Sequence, residues 1–440
     1  MTDHSFLIIG DSNLARRVRD ALTARGRRIV HLVAPDDAEL RAALHRSLAG
    51  IAILTHDDLV ALRYALSCAH LLPEVPMVVT VFDRTVGDQL EVLLPQCLVT
   101  SPADLAAPAL AGPCIAEGLL AAGRAGDAME RIEVLGGLPV RRRDKPLRKS
   151  LWRTATAHVA GLLRTPDQGT RMLSIGLFGM LAILILDWLW LVFGEHQAPH
   201  DALLHAVRVV TTVGPAADAH DHPRYAVAAS AAMLATVVFA AMFTAGLVDR
   251  LLGPRLIGLI GPRVLPRSGH VIVVGLGQVG LRLCRELMLL GVRVVGVERD
   301  PEAENLRLAR LLNIPVVTGH GADRGLLERL AVHRARAVAA VGSDDLDNIA
   351  VAIAVHAVSP RTRLILRAGE HETIVDTRSL LRLGAVVRDV SLLTAVYVVE
   401  SLLGSPPHGV VSRDSEVFVE TGPGRFFRYD LNRGPIGGPL

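Results

Sequence analysis

The chain has 440 residues, enough for two or three domains. Half of it is hydrophobic and 21% is charged, which excludes intrinsic disorder. The formal net charge of +3 is too small for a nucleic-acid footprint spread over the chain, and 4% aromatic content argues against stacking platforms for single strands. The four cysteines, Cys68, Cys97, Cys114 and Cys284, lie far apart without a Cys-x-x-Cys pair. They carry no zinc or disulfide signature and read as buried thiols in a reducing compartment.

The opening MTDHSFLIIGDSN predicts a short strand, with no small-residue cleavage site behind it, so it is not read as a signal peptide. FLIIGDSNLARRVRDALTARGRRIVHLVAPD then alternates strand, glycine turn, helix and strand. This unit is assigned to residues 1–135. A basic linker is expected over 136–171. It holds Arg141, Arg142, Arg143, Lys145, Arg148, Lys149 and Arg153, with only Asp144 against them.

Residues 172–193 form 22 residues with one charge, Asp187, and residues 225–248 form 24 with none. About 20 apolar residues suffice to cross a bilayer as a helix, so two transmembrane helices are expected. The loop between them carries Glu195, Asp201, Asp218 and Asp221 against Arg208 and Arg224, and Arg250, Arg255, Arg263 and Arg267 follow the second span. The positive-inside rule then puts both termini in the cytoplasm. The basic run reads as a topology signal, with anionic lipid as the other reading.

Within the loop, Ala202 to Val210 is a short apolar stretch at helical spacing, followed at once by Thr211-Thr212-Val213-Gly214. A short helix that turns extended between two spans has the layout of a pore loop, expected over 200–218. Threonine oxygens and backbone carbonyls can replace the hydration shell of potassium, and four copies are needed to ring an ion. Asp187 is an intramembrane acid beside Trp188 and Trp190, read as facing protein or headgroups or as acting on ions. The histidines His196, His200, His205, His220 and His222 crowd this loop, where metal binding and external pH sensing are the readings open to them, but no pair has strong ligand spacing and no metal site is assigned.

After a linker over 249–268, a second α/β unit runs over 269–404. HVIVVGLG is an apolar run ending in a glycine turn, and Gly275, Gly277 and Gly280 make G-x-G-x-x-G ahead of a helix. Gly275 suits the tight turn, Gly277 lets a pyrophosphate approach the helix N-terminus, and Gly280 lets the helix pack close. Glu298 ends the next strand, 21 residues after Gly277, where an acid binds ribose hydroxyls. The first unit repeats this one: Gly10 falls on Gly275, Leu22 on Leu287 and Gly26 on Gly291, at an offset of 265. Further on, Asp57 and Asp58 fall on Asp344 and Asp345 at an offset of 287, so the first copy lacks 22 residues between. It has Ser12, Ala15 and Val33 where the second copy has Gly277, Gly280 and Glu298, and is read as a copy that kept the fold and lost the nucleotide. The Asp344-Asp345 pair is read as capping the next helix or touching the nucleotide, rather than as catalytic. The tail, 405–440, is rich in proline and glycine around one strand-like run, EVFVE; packed and mobile readings both stay open.

The order helix, pore loop, T-T-V-G, helix resembles a two-transmembrane potassium channel. The flanking units resemble the regulator-of-potassium-conductance (RCK) domain, also called the potassium-transport nucleotide-binding domain. In the second copy the resemblance rests on Val273 to Gly280, on Gly319-His320-Gly321-Ala322, and on Ser343-Asp344-Asp345 with Asn348. It implies two Rossmann-like α/β domains around an α-helical membrane module, assembled as a homotetramer in the inner membrane. It also implies a nucleotide site at Gly275, Leu276, Gly277, Gln278, Val279, Gly280, Glu298, Arg299, Gly319, His320, Ser343 and Asp344, holding NAD(H) first and ATP or ADP as the alternative. The expected partners are the bilayer, potassium or another monovalent cation, and further copies of the chain. No enzyme activity and no nucleic acid are expected. Two departures stand out. The filter run T-V-G-Y-G-D of the family is Thr212-Val213-Gly214-Pro215-Ala216-Ala217-Asp218 here, so the pore either conducts with poor selectivity or does not conduct, leaving a membrane nucleotide sensor. The family's G-D-A is Gly319-His320-Gly321, so an acidic contact to the ligand is read as lost, with Asp323 lying close by.

Overall fold

Runs such as FLII and VIVV lack polar alternation and suit strands buried on both faces, the pattern of a parallel sheet under helices. The computed structural model describes residues 5–44, 47–126, 128–144, 168–211, 213, 223–256, 259–260, 266, 268–369, 384–414 and 416–437. The chain divides into one unit of Met1–Pro146 with Leu259–Leu440 and a second of Leu147–Gly258.

In the first unit, the N-terminal copy runs β1 (Ser5–Ile9), α1 (Asn13–Ala24), β2 (Arg28–Leu32), α2 (Asp37–Leu44), β3 (Leu48–Ile53), α3 (Asp58–Leu71), β4 (Met77–Thr80), α4 (Arg84–Leu93), β5 (Cys97–Thr100) and α5 (Pro102–Ile115). Its five strands are parallel in the order β2-β1-β3-β4-β5. A three-stranded antiparallel sheet follows, β6 (Leu119–Ala125), β7 (Ala128–Leu135) and β8 (Leu138–Asp144). The boundary expected at residue 135 therefore falls inside a hairpin. Arg141 and Arg142 lie on β8 and pair with Glu130 and Glu133 on β7, so part of the basic run is a strand with acidic neighbours and not a linker.

The second unit holds α6 (Gln168–Leu189), a π-helical turn (Trp190–Gly194), α7 (Pro199–Val210) and α8 (Pro223–Leu256). Met172–Gly194 and Arg224–Val248 are long and apolar enough to cross a membrane, and only 17% and 11% of their apolar windows are buried. Their apolar side chains, Phe178, Leu186 and Leu234 among them, thus face outward instead of forming a core. α6 and α8 pack closely: a Cβ on Gly176 would stand 2.5 Å from the Phe239 carbonyl oxygen. Ala202 and Val209 of α7 join Leu191, Tyr225 and Ala229 in one apolar cluster, and the Trp188 indole donates to the Pro199 carbonyl at 3.0 Å. Asp187 is buried on α6 with Tyr225 and His205 as polar neighbours.

Returning to the first unit, β9 (Leu259–Ile260) adds antiparallel to the sheet edge, so the expected linker takes part in the fold. The second copy then runs β10 (Val271–Val274), α9 (Gln278–Leu289), β11 (Val294–Glu298), α10 (Asn305–Leu311), β12 (Val316–Thr318), α11 (Arg324–Arg329), β13 (Ala337–Ala340), α12 (Asp345–Val358), β14 (Arg363–Ala368), β15 (Val386–Asp389) and α13 (Val390–Leu402). The sheet order is β15-β14-β13-β10-β11-β12-β9. The second copy places α10, β12 and α11 between β11 and β13, where the first copy has only α2 between β2 and β3. The gap found by aligning the copies is thus one strand and its helix.

The copies exchange their last helices. Ala103, Ala106, Leu110 and Cys114 of α5 pack into the core of the second copy with Val279, Leu283, Cys284 and Leu287 of α9. Ala395, Val398, Val399 and Leu402 of α13 pack with Ala15, Val18 and Leu22 of α1. Each fully buried aliphatic side chain there contributes roughly 1.5–3 kcal/mol of transfer free energy, so the exchange binds the copies firmly. The tail is folded: β16 (Gly409–Arg413), β17 (Glu416–Gly422), β18 (Arg425–Asp430) and β19 (Gly434–Ile436) form an antiparallel sheet. Its Val411, Phe418 and Phe426 share a core with Leu120, Ala121 and Ile132 of the three-stranded sheet.

Candidate functional site

The site grows from the end of β10. Gly275 has φ +88, and a Cβ there would lie 2.7 Å from the Gly342 backbone. A Cβ on Gly280 would lie 1.9 Å from the Gly275 carbonyl oxygen, so this glycine seats α9 against the turn. Gly277 is the N-cap of α9 and has nothing within 4 Å of its Cβ position. Its side faces open space at a helix N-terminus, where free N–H groups and the helix dipole favour an anion.

Glu298, at the end of β11, closes the opposite wall. Its Oε2 accepts from the Leu276 N–H at 2.8 Å, and its Oε1 accepts from the N–H groups of Arg299 at 2.8 Å and Asp300 at 3.2 Å. A carboxylate held this way keeps lone pairs for a ribose diol. His320 follows β12 and accepts through Nδ1 from the Ala322 N–H at 3.2 Å, which leaves Nε2 as the donor. Gly321 is tightly placed: a Cβ would meet Val274 Cγ1 at 2.2 Å. Asp323, close by in sequence, does not line the cavity. It caps α11 by accepting from the Gly325 N–H at 2.8 Å.

Asp344 caps α12, accepting from the N–H groups of Leu346 at 2.8 Å and Asp347 at 3.2 Å. Asp57 caps α3 with the same two distances, to Leu59 and Val60, as the alignment of the copies leads one to expect. Asn348 braces the loop after β13, accepting from the Gly342 N–H at 2.9 Å and donating to the carbonyls of Gly342 at 3.0 Å and Arg367 at 3.2 Å.

A cavity of about 530 Å³ gathers Gly275, Leu276, Gly277, Gln278, Val279, Glu298, Arg299, Gly319, His320, Ser343 and Asp344. Of the expected site residues in this copy only Gly280 stands behind the wall. The sequence reading missed Arg367, a cation inside the apolar run of β14, and His56 and Phe82, which reach the cavity from the first copy. His56 aligns with Ser343 at the offset of 287, so superposing the copies was the signal that could have found it.

In the first copy the corresponding turn is filled by the chain itself. Ser12 Oγ donates to the Leu54 carbonyl at 2.7 Å and accepts from the Ala15 N–H at 3.1 Å. His31 Nε2 hydrogen-bonds the Gly10 carbonyl at 2.8 Å, and Asn13 Nδ2 donates to the Gly369 carbonyl at 2.7 Å. Ser12 thus takes an N–H at the α1 terminus, where Gly277 leaves the α9 terminus open. In the second unit, Thr211 caps α7, its hydroxyl donating to the carbonyls of Val207 at 2.8 Å and Arg208 at 3.2 Å, and Val213 is exposed. Thr212 and Gly214 lie outside the described residues. Among the described residues no group of three or more histidine, cysteine, aspartate or glutamate side chains is placed to hold a metal. The four cysteines are free and buried, and burial pushes the thiols of Cys68, Cys97 and Cys114 up to about 12.

Residues 271–388 match the TrkA-N domain. The match covers the second copy from the first residue of β10 into β15. A stretch of 83 residues is 36% identical to the Trk system potassium uptake protein TrkA of Streptomyces coelicolor. A stretch of 112 residues is 25% identical to an uncharacterised protein of Methanothermus fervidus. These stretches are 19% and 26% of this chain and 37% and 18% of those relatives, so less than two thirds of either relative is represented here. Among solved structures, the RCK domain of GsuK matches 92% of this chain and 77% of its own, with TM-score 0.51 and 13% identity. The GsuK channel matches 91% of this chain and 64% of its own, with TM-score 0.52 and 14% identity. At these identities the likeness is one of fold.

Proposed function

We propose that the chain is a membrane cation channel-like protein in which a nucleotide bound by the second α/β copy controls the passage of potassium. The observation that carries this is the convergence of the glycine turn, Glu298 and the ends of β12 and β13 on one open cavity. The α9 N-terminus takes a pyrophosphate and Glu298 takes the ribose of an unphosphorylated adenosine, so NAD(H), ADP or ATP fits and NADP does not. Support for potassium comes from the similarity to a protein named for potassium uptake and from the fold shared with a channel. The two outward-apolar helices with α7 packed against them support a membrane-spanning unit, the basic flanks of the two helices favour both termini in the cytoplasm, and four copies around an axis would complete a pore at Thr211, Thr212, Val213 and Gly214. Nucleotide binding biases the paired α/β copies between two states, and through them the pore. No catalytic step is assigned to the chain.

Pro215-Ala216-Ala217 favours a second reading, a non-conducting membrane nucleotide sensor, because the tyrosine and second glycine of the family's filter are missing. Calorimetric titration of the full chain with NAD, NADH, ADP and ATP tests the part common to both. Saturable binding of at least one, abolished by Glu298→Ala or weakened about tenfold or more, is expected; no binding of any of the four contradicts both readings.

A further inference from the structure

The first copy has filled its own turn, yet its strand ends point at the cavity of the second. His56 follows β3 and Phe82 follows β4, and both line the cavity together with Gly277 and Gln278. Their rings are stacked, with centroids 6.3 Å apart and 17° between planes. Two devices hold them there. Asp58 accepts from the N–H groups of Phe82 at 2.9 Å and Asp83 at 2.6 Å, tying the two loops into one. Arg282 of α9 donates through Nη2 to the Phe82 carbonyl at 3.5 Å while its Nε pairs with Asp104 at 3.0 Å, tying that loop to the helix that would receive the phosphates. The His56 ring is exposed and makes no hydrogen bond among the described residues.

We propose that His56 is a ligand contact supplied by the first copy, donating a ring N–H to the pyrophosphate seated at the α9 N-terminus, with Phe82 stacked behind it as a positioning residue. This rests on the nucleotide reading given above and extends it. The first copy has exchanged a binding site of its own for a lid on the other, and ligand binding draws the loops of the two copies together. The contact falls on the pyrophosphate because the Phe82 loop is anchored to α9 itself, beside the helix end that favours anions.

The test titrates ADP and NAD, which share the pyrophosphate, into the full native chain, His56→Ala, His56→Gln and Phe82→Ala. His56→Ala weakens both ligands about tenfold, as expected for loss of one hydrogen bond to a charged group, and His56→Gln, which keeps a donor, recovers part of the loss. Phe82→Ala weakens both less. Independently of any variant, hydrogen exchange of the loops around residues 55–58 and 81–83 in the native chain slows when ADP is added. His56→Ala affinities within about twofold of native, or loop exchange indifferent to ADP, overturns the proposal while native binding keeps the nucleotide reading standing. A loss confined to NAD overturns the phosphate assignment. If the native chain binds neither ligand, the nucleotide reading itself fails and the lid falls with it.

Discussion

Arg17 and Arg282 hold the same place in the two copies, seven residues past the glycine that follows the first strand, and each reaches across to the other copy, Arg17 to the residue that caps α13 and Arg282 to α5. Arg17 pairs with Asp389 at 2.7 Å and Arg282 with Asp104 at 3.0 Å. The two ion pairs mark a pseudo-twofold relation that the helix exchange completes. The chain has folded a pair of α/β domains into one unit.

The mirrored pairs are unequal in worth. The Asp104 carboxylate is 49% exposed and that of Asp389 is 25% exposed. Asp389 also caps α13, accepting from the Leu392 N–H at 2.8 Å. Asp104→Asn is expected to cost about 1 kcal/mol or less, since solvent already screens so exposed a carboxylate. Asp389→Ala is expected to cost about 2–4 kcal/mol, through the lost cap and an unpaired Arg17. Denaturant midpoints of the two variants check the order.

Two glycines of the turn, Gly280 and Gly277, fail in different ways. Gly280→Ala forces a Cβ into the Gly275 carbonyl, so both stability and nucleotide binding fall, the former by about 2 kcal/mol or more. Gly277→Ala meets no protein atom within 4 Å, so the thermal transition stays put while the methyl enters the phosphate space and binding drops about tenfold or more. Melting curves with parallel ADP titrations separate the two. Equal melting losses in both would contradict the roles assigned.

Glu420 is buried in β17 and its carboxylate is held by Arg141 of β8 and by the Gly424 N–H at 2.8 Å. Arg141→Ala leaves that charge unpaired, at a cost of about 3–5 kcal/mol. Adding Glu420→Gln to Arg141→Ala removes the uncompensated charge and recovers a large part of the loss. A double variant no better than the single one would mean the pair contributes little to joining the two small sheets.

His270 supplies a pH signature. It is fully buried before β10 with Nε2 hydrogen-bonded to the Leu330 carbonyl at 3.0 Å, and burial holds its pKa below the ordinary 6.5, with Arg293 nearby acting in the same direction. The unfolded chain then binds the proton more readily, so stability is lost as pH falls through about 6.5. The transition temperature is expected to drop more between about pH 7.5 and 5.5 in the native chain than in His270→Gln. Identical drops would remove His270 from the acid response.

What was legible in the sequence follows from how local its cause is. Gly275, Gly280 and Glu298 answer backbone demands set within one strand–turn–helix–strand unit, so their spacing alone placed them. The Asp344 cap was legible as one of two readings for the same reason, because a cap is a contact two residues long, and Asp57 was legible only as its aligned counterpart. His56 and Phe82 were not, because their place depends on α5 and α13 crossing between copies, a relation no local pattern encodes. The basic run around Arg141 read as a linker because the acids that neutralise it sit on neighbouring strands, the farthest at Glu420. The tail read as undecided because Phe418 and Phe426 find their core against residues about three hundred positions earlier.

The most direct measurement is potassium efflux from liposomes containing the full chain, with and without NADH and ADP, beside the Gly277→Ala variant. The account predicts flux that changes with nucleotide in the native chain and stays at one level in the variant. Absence of potassium flux at every nucleotide concentration, with nucleotide binding intact, would contradict the channel and leave the membrane sensor.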